Sequence, residues 1–187
     1  MGDPRQFHFT LPEEGPAFLP LDERLHDSFH FLSANRANSR PGDPLDIVDT
    51  IIIHGTDGHS THSAVQTWRT PGVKASAHWI VPDEDEAGHG QFAWATVAET
   101  KAAWHCRTTG PAKALLGAGP QVNNRSLGIE IVNRITGTHD PYSDWQVEMT
   151  VQIVRYAWAK YPNLRHVVSH AKLDPARRSD PGPLFPW

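Results

Sequence analysis

With one cysteine, Cys106, in 187 residues, the chain can form no internal disulfide, so its stability must come from a packed core. It lacks any apolar run near the roughly eighteen residues of a membrane-spanning helix. The opening MGDPRQFHFT also lacks the charged-then-apolar order of a secretory signal. The expectation is a chain without a membrane partner, cytoplasmic as synthesised, which would reach an outside target only by release or export. A basic surplus is missing too: a net charge of −4 and a pI near 6.3 leave no counterion-releasing surface, which argues against nucleic acid as partner. No segment repeats and none is of low complexity. The remaining composition, 39% hydrophobic and 20% charged, is that of one globular domain, expected to be a monomer.

What the chain has in excess is twelve histidines and seven tryptophans, residues that supply metal ligands, acid–base groups and pocket walls. Residues 1–45 are rich in proline and polar groups and read as an N-terminal arm packed on the domain. Its one short helix is expected in LDERLHDSFHFL, where Leu21, Leu25, Phe29 and Leu32 recur at helical spacing. From DIVDTIIIH a β-branched run predicts a strand buried on both faces, ending at His54. HSAVQTWRT predicts a helix stopped by Pro71-Gly72, and SAHWIV and QFAWATV predict strands around the turn PDEDEAGHG. SLGIEIVN alternates, which puts Glu130 on the face opposite Ile129 and Ile131. The longest periodic element runs from about Ser143, with Ser143-x-x-Gln146 as a capping box, to Tyr161 ahead of Pro162. Its stripe of Trp145, Met149, Ile153 and Ala157 suits a helix lying on a sheet. HVVSH adds a last strand that delivers His170. Strands interleaved with helices predict an α/β fold, a central mixed β-sheet of about five or six strands flanked by helices.

The closing stretch SHAKLDPARRSDPGPLFPW poses a different problem. Pro175, Pro181, Pro183 and Pro186 remove backbone donors and fix φ, so this must be an ordered loop held by side chains or by a bound group. His54 and His170 each end a predicted buried strand, and loops at one sheet edge commonly gather functional groups. If those strands are parallel neighbours, the two rings lie close together. Asp180 follows in the loop, and two histidines with one carboxylate form a common hydrolytic zinc set that keeps a fourth position open. A histidine at a strand end also serves as a packed or hydrogen-bonded residue, so on pattern alone both readings stand. Glu130 reads equally as a solvent-facing polar residue, and Trp68, Trp79, Trp94 and Trp104 suit the core as well as a groove.

Five ordered blocks, IIIHGT, SAHWIV, AWHCR, NRSLGIEIVN and SHAKLDPARRSDPGPLFPW, resemble the zinc-dependent N-acetylmuramoyl-L-alanine amidases of type 2. That family includes AmpD-like amidases, amidase-type phage lysozymes and peptidoglycan recognition proteins. The likeness covers roughly residues 46–187, which makes these the expected amidase domain. It implies a Zn2+ cofactor held by His54, His170 and Asp180, with Glu130 as general base toward the attacking water. His78 and His105 match histidines that bind substrate in the groove or stand behind the ligands. The implied reaction is hydrolysis of the amide between the lactyl group of N-acetylmuramic acid and L-alanine, with peptidoglycan or a muropeptide as partner.

Two departures from the family pattern matter. Where relatives usually carry Lys two residues before the aspartate ligand, this chain has Arg178, whose permanent charge suits oxyanion stabilisation rather than proton donation. WHAG of many relatives is WHCR here, which puts Cys106 and Arg107 at the expected groove rim. Other readings remain open at this level. A recognition module that binds peptidoglycan without cutting it is one, although all three ligand positions are filled. Cys106 as a nucleophile needs a base, and His105, its neighbour in an extended stretch, points to the other face. His54, His59 and His62 lack the HExxH spacing of a helical zinc site.

Overall fold

The computed structural model describes residues 2–134 and 140–187. A short 3-10 turn (Pro4–Gln6) leads into β1 (His8–Thr10), β2 (Glu23–Leu25), α1 (Phe29–Asn35), β3 (Ala37–Ser39) and α2 (Pro44–Ile47). Then come β4 (Thr50–Gly55), α3 (Thr61–Arg69), β5 (Trp79–Val81), β6 (Ala93–Ala95) and β7 (Lys101–Ala103). The chain continues through α4 (Gly110–Leu116), α5 (Val122–Arg125), β8 (Ser126–Ile131), α6 (Asp144–Lys160), β9 (His166–Ser169) and α7 (His170–Leu173). Among the described residues no helix is long and apolar enough to cross a membrane.

The main sheet has seven strands in the order β1-β9-β4-β8-β5-β6-β2, and β3 and β7 form a separate antiparallel pair. Its centre, β9-β4-β8-β5, is parallel, while β1 runs antiparallel to β9 and β6 antiparallel to β5 with β2 parallel to β6, so the sheet is mixed and flanked by helices. The arm explains why seven strands stand where five or six were expected. Residues 8–10 pair with β9 and residues 23–25 with β6, so each edge is closed by a three-residue segment too short to carry a pattern of its own.

The β-branched run in β4 is buried on both faces, as a central parallel strand must be. Ile51 and Ile53 pack into the cluster under α6 with Met149, Ile153 and Ala157. Ile52 faces the other way, toward Ala112, Leu116, Val122 and Leu173. Each such isoleucine contributes about 1.5–3 kcal/mol by leaving water. The helix α6 starts at the expected capping box, where the Ser143 hydroxyl accepts from the Gln146 amide. Gln146 does more than cap, because its buried side chain also donates to the carbonyls of Pro82 and Val132.

The expected helix across LDERLHDSFHFL is shorter than its periodicity suggests. Glu23–Leu25 is extended and pairs with β6, and α1 begins only at Phe29. The unpaired edge of β6 supplies backbone partners that outweigh a weak helical preference, and Leu25, a member of the supposed stripe, is 61% exposed. The proline-rich C-terminal loop is held by protein contacts. The Tyr142 hydroxyl donates to the Pro181 carbonyl at 2.7 Å, the Ala171 amide to the Asp180 carbonyl at 3.0 Å, and Phe185 packs edge-on against Tyr142.

Candidate metal centre and active site

Strand register places the chemistry. In the parallel ladder His54 of β4 lies opposite Glu130 of β8, and on the other side Ile53 lies opposite Ser169, the residue before His170. Three side chains from three adjacent strand ends therefore meet at one rim of the sheet. The C-terminal loop then folds back to bring Asp180 to the same point.

The Nδ1 atoms of His54 and His170 are 3.0 Å apart, and Oδ2 of Asp180 is 2.9 Å from the His170 nitrogen and 3.3 Å from the His54 nitrogen. Among the described residues this is the group of His, Cys, Asp or Glu able to hold a metal ion. Ligands about 2.1 Å from a tetrahedral zinc are separated by roughly 3.4 Å, slightly wider than this triangle. Two imidazole nitrogens and a carboxylate oxygen converging on one point form a donor set that fits a divalent cation. Burial pushes His54 down to about 4, reinforced by His170, which keeps its ring in the neutral form that ligates metals. Burial alone would raise Asp180, but hydrogen bonds and charge from His170 and His54 outweigh it and hold the carboxyl below the usual range.

A cavity of about 350 Å³ opens over this triangle. Glu130 lines it, with Oε2 buried and lacking a protein hydrogen-bond partner. Burial pushes the Glu130 carboxyl up to about 8, the Asp180 charge adds to the rise and Arg178 opposes it. Arg178 also lines the cavity, next to Arg177, whose guanidinium is held by buried Asp174 at 2.6 Å.

His105 lines the cavity and stands behind His54. Its Nδ1 is 3.0 Å from Nε2 of His54 and its Nε2 is 3.0 Å from the Ser126 hydroxyl, so both ring nitrogens are engaged within the protein. Burial first, and the neighbouring histidines next, hold it well below the usual imidazole range. His78 is fully buried and lies outside the cavity lining. Its Nδ1 accepts from the Gly128 amide at 2.9 Å, its Nε2 lies 3.1 Å from the Lys101 carbonyl, and burial pushes it down to about 3.

Cys106 contacts the Asn123 amide oxygen rather than a base, and burial raises its thiol, both of which argue against a nucleophile. His59 hydrogen-bonds Arg134 and lines a neighbouring pocket that shares Glu130 with the cavity, and His62 is exposed. Trp68 and Trp79 are core residues and Trp94 donates to the His89 carbonyl, whereas Trp104 lines the cavity. The position of Trp104, one residue before His105 in AWHCR, is the signal that could have singled it out. Arg40 had no such signal. Buried, it donates to the carbonyls of Glu99, Asn123, Asn124 and Ser126.

The sequence pattern of one family, N-acetylmuramoyl-L-alanine amidase, matches residues 43–183. The chain belongs to this family. Similar members include the N-acetylmuramoyl-L-alanine amidase AmiD of Escherichia coli K12, 31% identical over 149 residues, which cover 75% of this chain and 51% of that protein. The chain thus spans about half the length of the relatives it matches. Among solved structures, AmpDh3 of Pseudomonas aeruginosa in complex with anhydromuramic pentapeptide superposes with a TM-score of 0.65 at 29% identity, covering 80% of this chain and 60% of that one. AmiD of E. coli in complex with anhydro-N-acetylmuramic acid-L-Ala-D-gamma-Glu-L-Lys gives 0.59 at 28% identity, covering 81% and 58%.

Proposed function

We propose that this family member is a zinc-dependent peptidoglycan amidase, with residues 46–187 as the amidase domain and 1–45 as an arm packed on it. It would hydrolyse the amide between the lactyl group of N-acetylmuramic acid and L-alanine of the stem peptide. The observation that carries the reading is the bare Oε2 of Glu130, which shares one cavity with the His54, His170 and Asp180 triangle. Two relatives of similar fold hold anhydromuramyl peptides, which supports a muropeptide as substrate.

Zinc held by His54, His170 and Asp180 would supply positive charge that makes water more acidic and polarises the amide carbonyl. Glu130 takes a proton from the attacking water as its oxygen bonds to the lactyl carbonyl carbon. Arg178 offers N–H donors to the carbonyl oxygen as that oxygen gains charge. The carbon–nitrogen bond then breaks, and Glu130 returns its proton to the alanine nitrogen. Arg178 cannot share that work, because its guanidinium keeps its proton at any working pH.

The test is incubation of the zinc-loaded chain with soluble anhydro-muropeptide and, separately, with purified sacculi, followed by mass spectrometry. Release of a peptide beginning at L-alanine is the expected result, and the better substrate assigns fragment recycling or wall lysis. Stoichiometric zinc without release from either substrate would replace this reading with a recognition module.

A further inference from the structure

We infer that His105 is a positioning residue, part of a one-way hydrogen-bond chain that dictates which nitrogen His54 presents to the metal. This rests on the zinc reading above and goes beyond it. The chain is read from its closed end. The carbonyl of Val122 can only accept, and the Ser126 hydroxyl, 2.7 Å away, donates its single proton there. Having spent that proton, the hydroxyl can only accept from Nε2 of His105 at 3.0 Å. Neutral His105 therefore carries its proton on Nε2 and leaves Nδ1 bare. Bare Nδ1 accepts from Nε2 of His54 at 3.0 Å, so neutral His54 is protonated on Nε2 and its Nδ1 lone pair faces His170 and Asp180. A main-chain carbonyl at the start of α5 thus sets the tautomer of a ligand on β4. Metal-bound histidines commonly donate their second N–H to a carboxylate, carbonyl or water, and here an imidazole takes that place.

Two further features hold the chain in line. A Cβ at position 128 would lie 2.6 Å from Cγ and 2.7 Å from Nδ1 of His105, so the ring occupies the space that a glycine leaves on β8. Arg40, reaching in from the arm, donates to the carbonyls of Ser126, Asn123 and Asn124 and fixes the turn that carries the hydroxyl.

The test compares zinc affinity of the full chain by competition with a chromogenic chelator at one neutral pH. His105→Phe keeps a ring but removes both nitrogens, and its zinc dissociation constant should rise roughly 10–100-fold. His105→Gln, which can accept with Oε1 and donate with Nε2, should restore most of that loss, a recovery that a purely space-filling role would not give. Nitrogen-15 NMR of the zinc-loaded wild type supplies a readout that needs no variant. It should find His54 and His105 both protonated on Nε2. A proton on Nδ1 of His105, or a folded His105→Phe chain that binds zinc as tightly as wild type, would overturn the inference alone. Failure of the wild type to bind zinc at all would instead overturn the metal reading, and this inference with it.

Discussion

Glu130 illustrates how a single residue trades stability for reactivity. Its carboxyl binds a proton more tightly folded, at about 8, than at its ordinary 4.5, so the folded state holds more protons across that window. Glu130's own contribution to stability of the zinc-free chain then falls as pH rises from about 4.5 to 8. Glu130→Gln should therefore stabilise the zinc-free chain at the upper end of the window, on the order of 1–3 kcal/mol, and leave it unchanged at the lower end. Urea unfolding at the two pH values checks this. The same variant should lower kcat of the zinc-loaded enzyme by about 10²–10⁴-fold. At position 178, substitution by Lys keeps a charge and should retain most activity, whereas Ala should lose roughly 10²-fold in kcat. If Lys were as poor as Ala, the planar fork of donors would matter more than the charge. The strand-end positions of His54 and His170 were legible because apolar patterning marks where a strand stops, and the face of Glu130 was legible from the alternation around it. The engagement of His78 and His105 was not legible, because their partners Gly128, Lys101, Ser126 and Arg40 come from elements whose approach no local pattern encodes.

At the scale of elements, legibility tracked length and period. The seventeen residues of α6 repeat their apolar stripe often enough to specify both the helix and its buried face. The three residues of β2 cannot, and their conformation is decided by the free edge of β6. The same difference predicts where truncation hurts. Ile153, fully buried where α6 crosses the sheet, should cost about 2–5 kcal/mol when replaced by Ala, measured by denaturant unfolding. Leu25, exposed on β2, should cost under about 0.5 kcal/mol in the same assay. A comparable loss at both sites would mean that the edge strand carries core packing that its exposure denies.

The molecule as a whole hides an unusual number of neutral imidazoles. His54 is pushed down to about 4, His78 to about 3 and His105 well below its usual range, each chiefly by burial. Below the ordinary histidine pKa of 6.5 the unfolded chain takes up protons that the folded chain refuses, so stability rises with pH through that window and is lost on acidification. The urea midpoint of the zinc-free chain should accordingly drop between pH 7 and pH 5, with His78→Gln flattening the slope. The cavity wall has a different construction from the chemistry it encloses. Ala75, Ser76 and Trp104 sit on connections that carry none of the proposed reacting groups, while His54 and Glu130 hang from laddered strands, His170 follows directly on one, and Arg178 and Asp180 share the C-terminal loop. Part of the wall can thus be varied apart from the groups proposed to react. A library that diversifies only those connections would explore which cell-wall fragments are admitted without retuning the machinery that cuts them.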